Sequence, residues 1–281
     1  MATVSLGYRT DLLLLGLQGS VIEQRAGYQV IRTTANPTFH WGNFLLLDRP
    51  PAPGTVSSWM SAFAREFPDA EHLAIGVDGT GGDAGDEAEL ATAGLEADRS
   101  TVLTANAATP PPRPNGAAQF RMLESDGDWE AALGLQQAVH PYGEPEGWDG
   151  FNGLRLLAMR QMQAQGFGAW FGAFLAGRMV SGLGVFGDGS GIVRFQSVDT
   201  HPEHRNKGLA GTLVYQASQY ARQDLAAQTQ VIVADQTGTA IRIYRSVGSA
   251  MQTPRSSCSA GSPANDAGTA GHGLTVGRNP G

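Results

Sequence analysis

The chain has 281 residues, enough for two domains of ordinary size; 41% are hydrophobic, 16% are charged, and 38 glycines point to numerous loops. A net charge of −7 argues against nucleic acid or an anionic membrane as the main partner and mildly favours a cationic substrate such as an amine. One cysteine, Cys258, excludes internal disulfides and a cysteine-ligated metal, and no apolar run reaches the roughly 18 residues of a membrane span, so a cytoplasmic protein without a signal peptide is expected.

In chain order, strand-like stretches lie around 20–24, 28–33, 43–47, 72–77 and 100–104, with helix-like stretches near 56–67 and 86–97. The four leucines at 12–15 follow an acid and are too few to span a membrane. Residues 36–44, Asn36-Pro37-Thr38-Phe39-His40-Trp41-Gly42-Asn43-Phe44, are dense in rings and amides. They read either as a wall of a substrate pocket or as a packed loop whose side chains satisfy one another. The glycines and acids of 79–87 lack the ligand order of a calcium loop, so a surface loop is expected there. Residues 107–116 carry Pro110, Pro111, Pro112 and Pro114, which remove donors and fix φ, so this segment reads as a linker after a first α/β domain at 1–106.

Beyond the linker come a strand at 119–124, helices across 129–139 and 152–165, and strands at 167–175 and 178–186, followed by a glycine-rich hairpin turn at 187–191. The next strand, 191–198, places Val193, Phe195 and Ser197 on one face and Ile192, Arg194 and Gln196 on the other. It runs into Val198-Asp199-Thr200-His201-Pro202-Glu203-His204-Arg205-Asn206-Lys207-Gly208-Leu209-Ala210. Ala210, Leu213, Val214, Ala217, Ala221 and Leu225 then recur at helical spacing. A loop at a helix N-terminus, with Arg205 and Lys207 for charge and Gly208 for close approach, suits a pyrophosphate. It is not a nucleotide P-loop, since no Gly-Lys-Ser or Gly-Lys-Thr occurs, nor does a G-x-G-x-x-G open a helix after a strand. His201, Glu203 and His204 could suggest a metal, but the spacing is not H-E-x-x-H, and no metal is expected.

Arg205-Asn206-Lys207-Gly208-Leu209-Ala210 resembles the R-x-x-G-x-G/A signature of the GNAT superfamily of N-acetyltransferases, with Thr200-His201-Pro202 where that family has V-x-P. Ala240, Tyr244 and Gly248 fall on their places in its late helix, N-x-x-A-x-x-L-Y-x-x-x-G-F, after the apolar strand 231–233; Thr237 replaces the Asn and Ser249 the aromatic. The resemblance covers about 117–249. It implies a GNAT-like α/β (α+β) fold, a mixed, mostly antiparallel central sheet flanked by helices. The smaller domain before it alternates strands and helices and could be a degenerate copy, although it carries no R-x-x-G-x-G/A loop. The resemblance further implies an acyltransferase using acetyl-CoA as co-substrate, without metal. Val198, Thr200, Arg205, Asn206, Lys207, Gly208, Leu209 and Ala210 would bind it, and Tyr244 would protonate the departing CoA thiolate.

On the residues' own terms, acetyl transfer needs a neutral amine, a polarised carbonyl and a proton for the sulfur. A phenol with a pKa of about 10 can supply that proton. A backbone N–H near Val198 to Thr200 could polarise the carbonyl, where the strand must diverge from its neighbour to admit the co-substrate. Asp199 is the first choice as base, with His201 and Glu203 behind it; a loop-capping Asp199 and a water relay are the alternatives, and Tyr244 could simply pack on the sheet. The polar, unpatterned residues 250–281 are expected to be a disordered tail, a change of character that a shifted reading frame would also produce. The expected function is acetyl transfer to a primary amine of a small molecule or peptide, by a monomer or homodimer that binds neither nucleic acid nor membrane. The alternative is a catalytically silent acyl-CoA-binding module.

Overall fold

A computed structural model describes residues 2–140, 148–235, 240–248 and 251–260. The first half runs α1 (Leu6–Leu17), β1 (Val21–Arg25), β2 (Tyr28–Arg32), β3 (Phe44–Leu47), α2 (Val56–Glu66), β4 (Leu73–Val77), α3 (Glu87–Thr92) and β5 (Glu96–Ala105). The second half runs β6 (Gln119–Met122), α4 (Asp126–Val139), α5 (Phe151–Ala164), β7 (Gly168–Leu175), β8 (Arg178–Gly187), β9 (Ile192–Thr200), α6 (Leu209–Gln223), β10 (Thr229–Asp235), α7 (Ala240–Ser246) and β11 (Met251–Ala260). All these strands join one mixed sheet in the order β1-β2-β3-β4-β11-β5-β10-β9-β8-β7-β6. Only β3–β4 and β9–β10 pair in parallel, and each needs a crossover helix, α2 and α6.

The order α1-β1-β2-β3-α2-β4-α3-β5 repeats as α5-β7-β8-β9-α6-β10-α7-β11, and the second half adds β6 and α4 in front. The first half therefore repeats the element order of the second in reduced form. The two halves exchange their last strands: β11 lies between β4 and β5, and β5 lies between β10 and β11.

Three elements depart from the sequence reading. A helix near 86–97 is too long: Asp86 caps α3 by accepting from Ala88 and Glu89 N–H at 2.9 and 3.2 Å, and Gly94 at φ 76° ends it, so β5 starts at Glu96. Helix α1 was not expected, because its leucines show no single apolar stripe. It is buried on several sides: Leu14 packs in the core with Trp129 and Met159, while Tyr8 and Leu15 pack in the core with Phe44 and Phe63. Residues 251–260 were expected to be disordered and instead form β11, which pairs with β5 from Met251 and with β4 from Ser256. A strand bonded on both edges is held by its satisfied backbone, without alternating apolar residues. Pro254, which lacks a donor, precedes the doubly paired stretch. The rest of that expected tail, 261–281, lies outside the described residues.

One face of the sheet packs on α6 through Phe171, Val185, Val193, Phe195, Leu213 and Val214; the opposite face packs on α4 and α5 through Trp129, Leu133, Leu156, Met159 and Phe186. Among the described residues no helix is long and apolar enough to cross a membrane.

Candidate active site

The centre of the second half is a wedge between β9 and β10. The two strands pair only over Ile192–Arg194 against Thr229–Val231, whereas β10 keeps pairing with β5 through Asp235. On its other edge β9 changes register against β8 between Gly182 and Gly184, and Ser197 there has φ 47°. The bulge bends β9 away from β10, and among the described residues its last positions have no partner on the β10 side. This is the divergence expected near Val198 to Thr200.

The loop from Thr200 to Ala210 opens α6. Asn206 at φ 62° and Gly208 at φ 75° are both left-handed, and they turn the chain into the helix at Leu209. The backbone N–H groups of Asn206, Lys207, Gly208, Leu209, Ala210 and Gly211 have no hydrogen-bond partner among the described residues. These donors at a helix N-terminus form a cradle for an anion. Lys207 Nζ donates to Glu203 O at 2.9 Å, and Arg205 Nε donates weakly to Thr200 O at 3.4 Å, so both exposed cations fold back along the loop.

Gly208 has a second use that its sequence context did not reveal. A Cβ there would lie 2.3 Å from the carbonyl oxygen of Arg113. The linker is strapped across the start of α6: Asn115 N donates to Thr212 Oγ1 at 2.9 Å and Asn115 Nδ2 to Lys207 O at 2.8 Å. The space beside Gly208 that was assigned to an anion is thus taken by the linker, and the anion's face must be the free N–H groups.

The corresponding place in the first half is filled from within. At the N-terminus of α2, Gly54 N and Val56 N donate to the two carboxylate oxygens of Glu89 at 2.8 and 2.9 Å. A side-chain carboxylate there satisfies the donors that an anion would otherwise take.

On the face opposite α6, Asp199 is buried at the end of β9, and its Oδ1 lies 3.1 Å from His140 Nε2. Its Oδ2 is buried with no partner among the described residues. His140, the residue closing α4, was not singled out from the sequence; its partner is 59 positions away and no spacing could reveal it. Tyr244 on α7 is buried, and desolvation together with the charge of Asp199 pushes its phenol above the usual value while Arg194 pulls the other way. The structure thus brings Asp199 and Tyr244 into one electrostatic neighbourhood. The side chain of Ala240 and the positions Thr237 and Ser249 lie outside what is described.

His201 and Glu203, the other candidate bases, stand on the loop with His204, their ligand atoms within 4.8 Å of one another. Arg178 Nη2 approaches His201 Nε2 at 3.2 Å. Guanidinium can only donate, so Nε2 accepts and the proton sits on Nδ1, the nitrogen that faces Glu203 at 4.0 Å. That tautomer leaves His201 no lone pair for a cation on the Glu203 side.

Behind Asp199 lies a charged interior. Arg194 on β9 and Arg255 on β11 both pair with Asp11 of α1, Arg194 at 3.0 Å. Arg155 on α5 is buried, its guanidinium 5.5 Å from the ring centre of Phe39 and 5.4 Å from that of Phe151. Desolvation pulls Arg155 down to about 10, against the opposing charge of Asp199. Within the ring-rich segment 36–44, most polar groups serve the loop itself: Asn43 accepts from Thr33 N–H and donates to Asn36 O and Phe39 O. Phe39 alone of that segment lines the pocket next to Arg155.

The family model described as acetyltransferase (GNAT) family matches residues 132–248. No curated protein sequence matches the chain. Among solved structures the chain is similar to a functionally unknown conserved protein from Staphylococcus epidermidis, with TM-score 0.64 and 11% identity over 85% of this chain and 93% of that one. A GCN5-related N-acetyltransferase from Kribbella flavida gives TM-score 0.61 and 15% identity over 92% and 97%. One from Sphaerobacter thermophilus gives 0.57 and 17% over 84% and 77%. At these identities the likeness concerns the fold, and its extent takes in both halves. The matched span starts inside α4 and ends at Gly248, so wedge, loop and late helix all fall within the part of the chain that matches the GNAT acetyltransferase family model.

Proposed function

We propose that the chain transfers an acetyl group from acetyl-CoA to a primary amine. The observation that carries this reading is the wedge between β9 and β10, open to the cradle of free N–H groups at α6 on one side and to the His140–Asp199 pair on the other. Acetyl-CoA fits it: its pyrophosphate suits the N–H groups of Asn206 to Gly211, with Arg205 and Lys207 as nearby cations. Bound there, it supplies an electrophilic thioester carbon and a thiol leaving group.

The chain's residues do the rest. His140, with its Nε2 on Asp199 Oδ1, takes the ammonium proton, directly or through water, and Asp199 stabilises the imidazolium. The freed amine forms the C–N bond at the thioester carbon. A backbone N–H of β9 on its β10 side, near Val198 to Thr200, offsets charge developing on the carbonyl oxygen. As the C–S bond breaks, Tyr244 gives its proton to the sulfur and recovers one from the nitrogen, so the net products are amide, thiol and one proton. The raised phenol suits this, because Tyr244 stays protonated at neutral pH.

Calorimetric titration with acetyl-CoA, followed by thiol release across a panel of amines, tests the reading. Binding with amine-dependent release is expected, and His140→Gln or Asp199→Asn should slow release by roughly 100-fold or more without loss of acetyl-CoA binding. Absence of binding would remove the proposal. The linker carbonyl of Arg113 against Gly208 favours one second reading, a module that binds acyl-CoA but does not turn it over. Binding without release for any amine would select it.

A further inference from the structure

Asp199 carries two groups with different partners. Its carboxylate meets His140, while its carbonyl belongs to the β8–β9 ladder. His201 N donates to Val180 O at 2.9 Å, and the register sets Ser181 opposite Thr200 and Gly182 opposite Asp199. In an antiparallel pair this makes the Asp199 carbonyl an acceptor of the Gly182 N–H, and Thr200 and Ser181 the non-hydrogen-bonded pair. The Thr200 N–H and carbonyl therefore face away from β8, to the β10 side where the wedge opens. Arg205 Nε of the cradle loop reaches the Thr200 carbonyl at 3.4 Å.

Ser181 is the one hydroxyl of β8, set among apolar residues and glycines, and it is fully buried. A buried hydroxyl costs free energy unless it is bonded. Ser181 Oγ donates to Asp199 O at 2.6 Å and lies 2.8 Å from Thr200 Oγ1. A carbonyl can only accept, so the single Ser181 proton is committed to Asp199 O, and Thr200 is the donor in the other bond. The hydroxyls thus form a directed chain from Thr200 through Ser181 to the Asp199 carbonyl, and it ends on the peptide whose nitrogen belongs to Thr200. Each bond accepted at that oxygen draws density from the amide nitrogen and makes its N–H a stronger donor. The chain also holds the plane of this peptide, which has little support from upstream because the ladder is interrupted at the bulge around Ser197.

We propose that the hydroxyls of Ser181 and Thr200 are positioning groups for acetyl transfer: they orient and polarise the Asp199–Thr200 peptide so that the Thr200 N–H meets the charge developing on the thioester oxygen. Both act through that N–H. Asp199 thereby links base and donor, its carboxylate holding His140 and its carbonyl ending the hydroxyl chain. This role rests on the acetyl-transfer reading and narrows its donor from the stretch Val198 to Thr200 to one group.

The test uses the full chain with acetyl-CoA isotope-labelled at the acetyl carbonyl, in the absence of amine, and reads the carbonyl stretch of the bound thioester by infrared difference spectroscopy. In the parent the band is expected below its frequency in water, as polarisation by a preorganised donor requires. Ser181→Ala should return the band toward the water value. It should also lower kcat by about tenfold, less than the roughly 100-fold that loss of a whole oxyanion donor causes, with KM for acetyl-CoA within about twofold. Thr200→Val, close in shape but without the hydroxyl, should act in the same direction, and Thr200→Ser should recover most of its loss. Thr200→Val decides the matter if Ser181→Ala fails to fold. An unmoved band in these variants would overturn the role whatever happens to kcat, since lost activity alone is what a purely structural contact would give. A parent band at its water frequency, or a band that moves while kcat stays unchanged, would overturn it as well. A parent that binds no acetyl-CoA, or turns over no amine, would instead sink the acetyl-transfer reading and this role with it.

Discussion

Gly208→Ala probes the junction of loop and linker. Alanine at φ 75° costs about 1–2 kcal/mol for the left-handed conformation. Its Cβ would also stand 2.3 Å from a backbone oxygen, Arg113 O, which cannot swing aside as a side chain can. The linker must lift, which breaks or stretches the two Asn115 bonds of 2.9 and 2.8 Å, each about 0.5–1.5 kcal/mol. Together this is a destabilisation of about 3 kcal/mol, or a fall in Tm of roughly 6–12 °C for a chain of this size. Calorimetric melting with and without acetyl-CoA gives the check, and Gly208→Asn separates the causes, since asparagine tolerates positive φ but still carries a Cβ. Gly208→Asn should recover only the conformational share. If Gly208→Ala melts within about 1 °C of the parent, or if Gly208→Asn restores it fully, the docking of the linker on Gly208 is refuted.

Tyr244 is raised above an ordinary phenol, so the folded state holds its proton where the unfolded chain has lost it; its contribution to stability is complete below pH 10 or so and declines as pH rises beyond. Tyr244→Phe should flatten that alkaline decline in urea unfolding and lower kcat with little change in acetyl-CoA affinity; an unchanged kcat would take Tyr244 out of proton transfer. Asp128 takes Arg121 Nη1 and Nη2 at 2.7 and 2.6 Å and caps α4 with Ser125, and the Arg121 hydrogen bonds hold its carboxyl below the usual range. Asp128→Asn should cost about 2 kcal/mol at pH 7, and the gap to the parent should close as pH drops below about 4, where the unfolded carboxyl binds its proton; a gap independent of pH would contradict the assignment. Glu89→Ala unmakes the inner cap of α2 and should destabilise by about 1 kcal/mol, while the parent binds one acetyl-CoA per chain; two per chain would show the first-half cradle to be open. Asp11→Ala leaves Arg194 and Arg255 buried without their carboxylate and should cost about 3–5 kcal/mol in urea unfolding; a loss under 1 kcal/mol would mean these arginines find other partners.

The second half was legible because its signals are local. The periodicity of Leu213, Val214, Ala217 and Ala221, the glycine at 208 and the strand before the loop each follow from neighbouring residues, and they fall where expected in α6 and β9. What stayed hidden depends on partners far along the chain. The sequence Met251–Ala260 has no strand pattern of its own; it becomes β11 because β4 and β5 each offer an edge, and because Arg255 finds Asp11 some 244 positions away. His140 gained meaning only from Asp199, and the ring-rich segment 36–44 divided into a self-satisfied loop and one pocket residue only once α5 was packed beside it. The repeat between halves was equally hard to read: Gly54 and Thr55 do not resemble the second half's loop, since Glu89 has replaced the need for one.

The exchange of β5 and β11 explains why a first half without an open anion cradle remains integral to the site. Arg194 comes from β9 and Arg255 from the exchanged β11, and both guanidinium groups are buried against α1, where an unpaired charge is costly. Their carboxylate, Asp11, comes from α1 of the first half, as do the pocket residues Leu14, Leu15, Gln18 and Phe39. The second half holds the wedge, the loop and the His140–Asp199 pair, but the carboxylate that neutralises Arg194 and Arg255 and one wall of the space beside Arg155 are supplied by the first. A cradle plugged by Glu89 costs the first half nothing in that role: α1 is held by Tyr8 Oη donating to Ser256 O of β11 at 2.7 Å and by Val4 and Ser5 N–H on Asp78, bonds that do not involve α2.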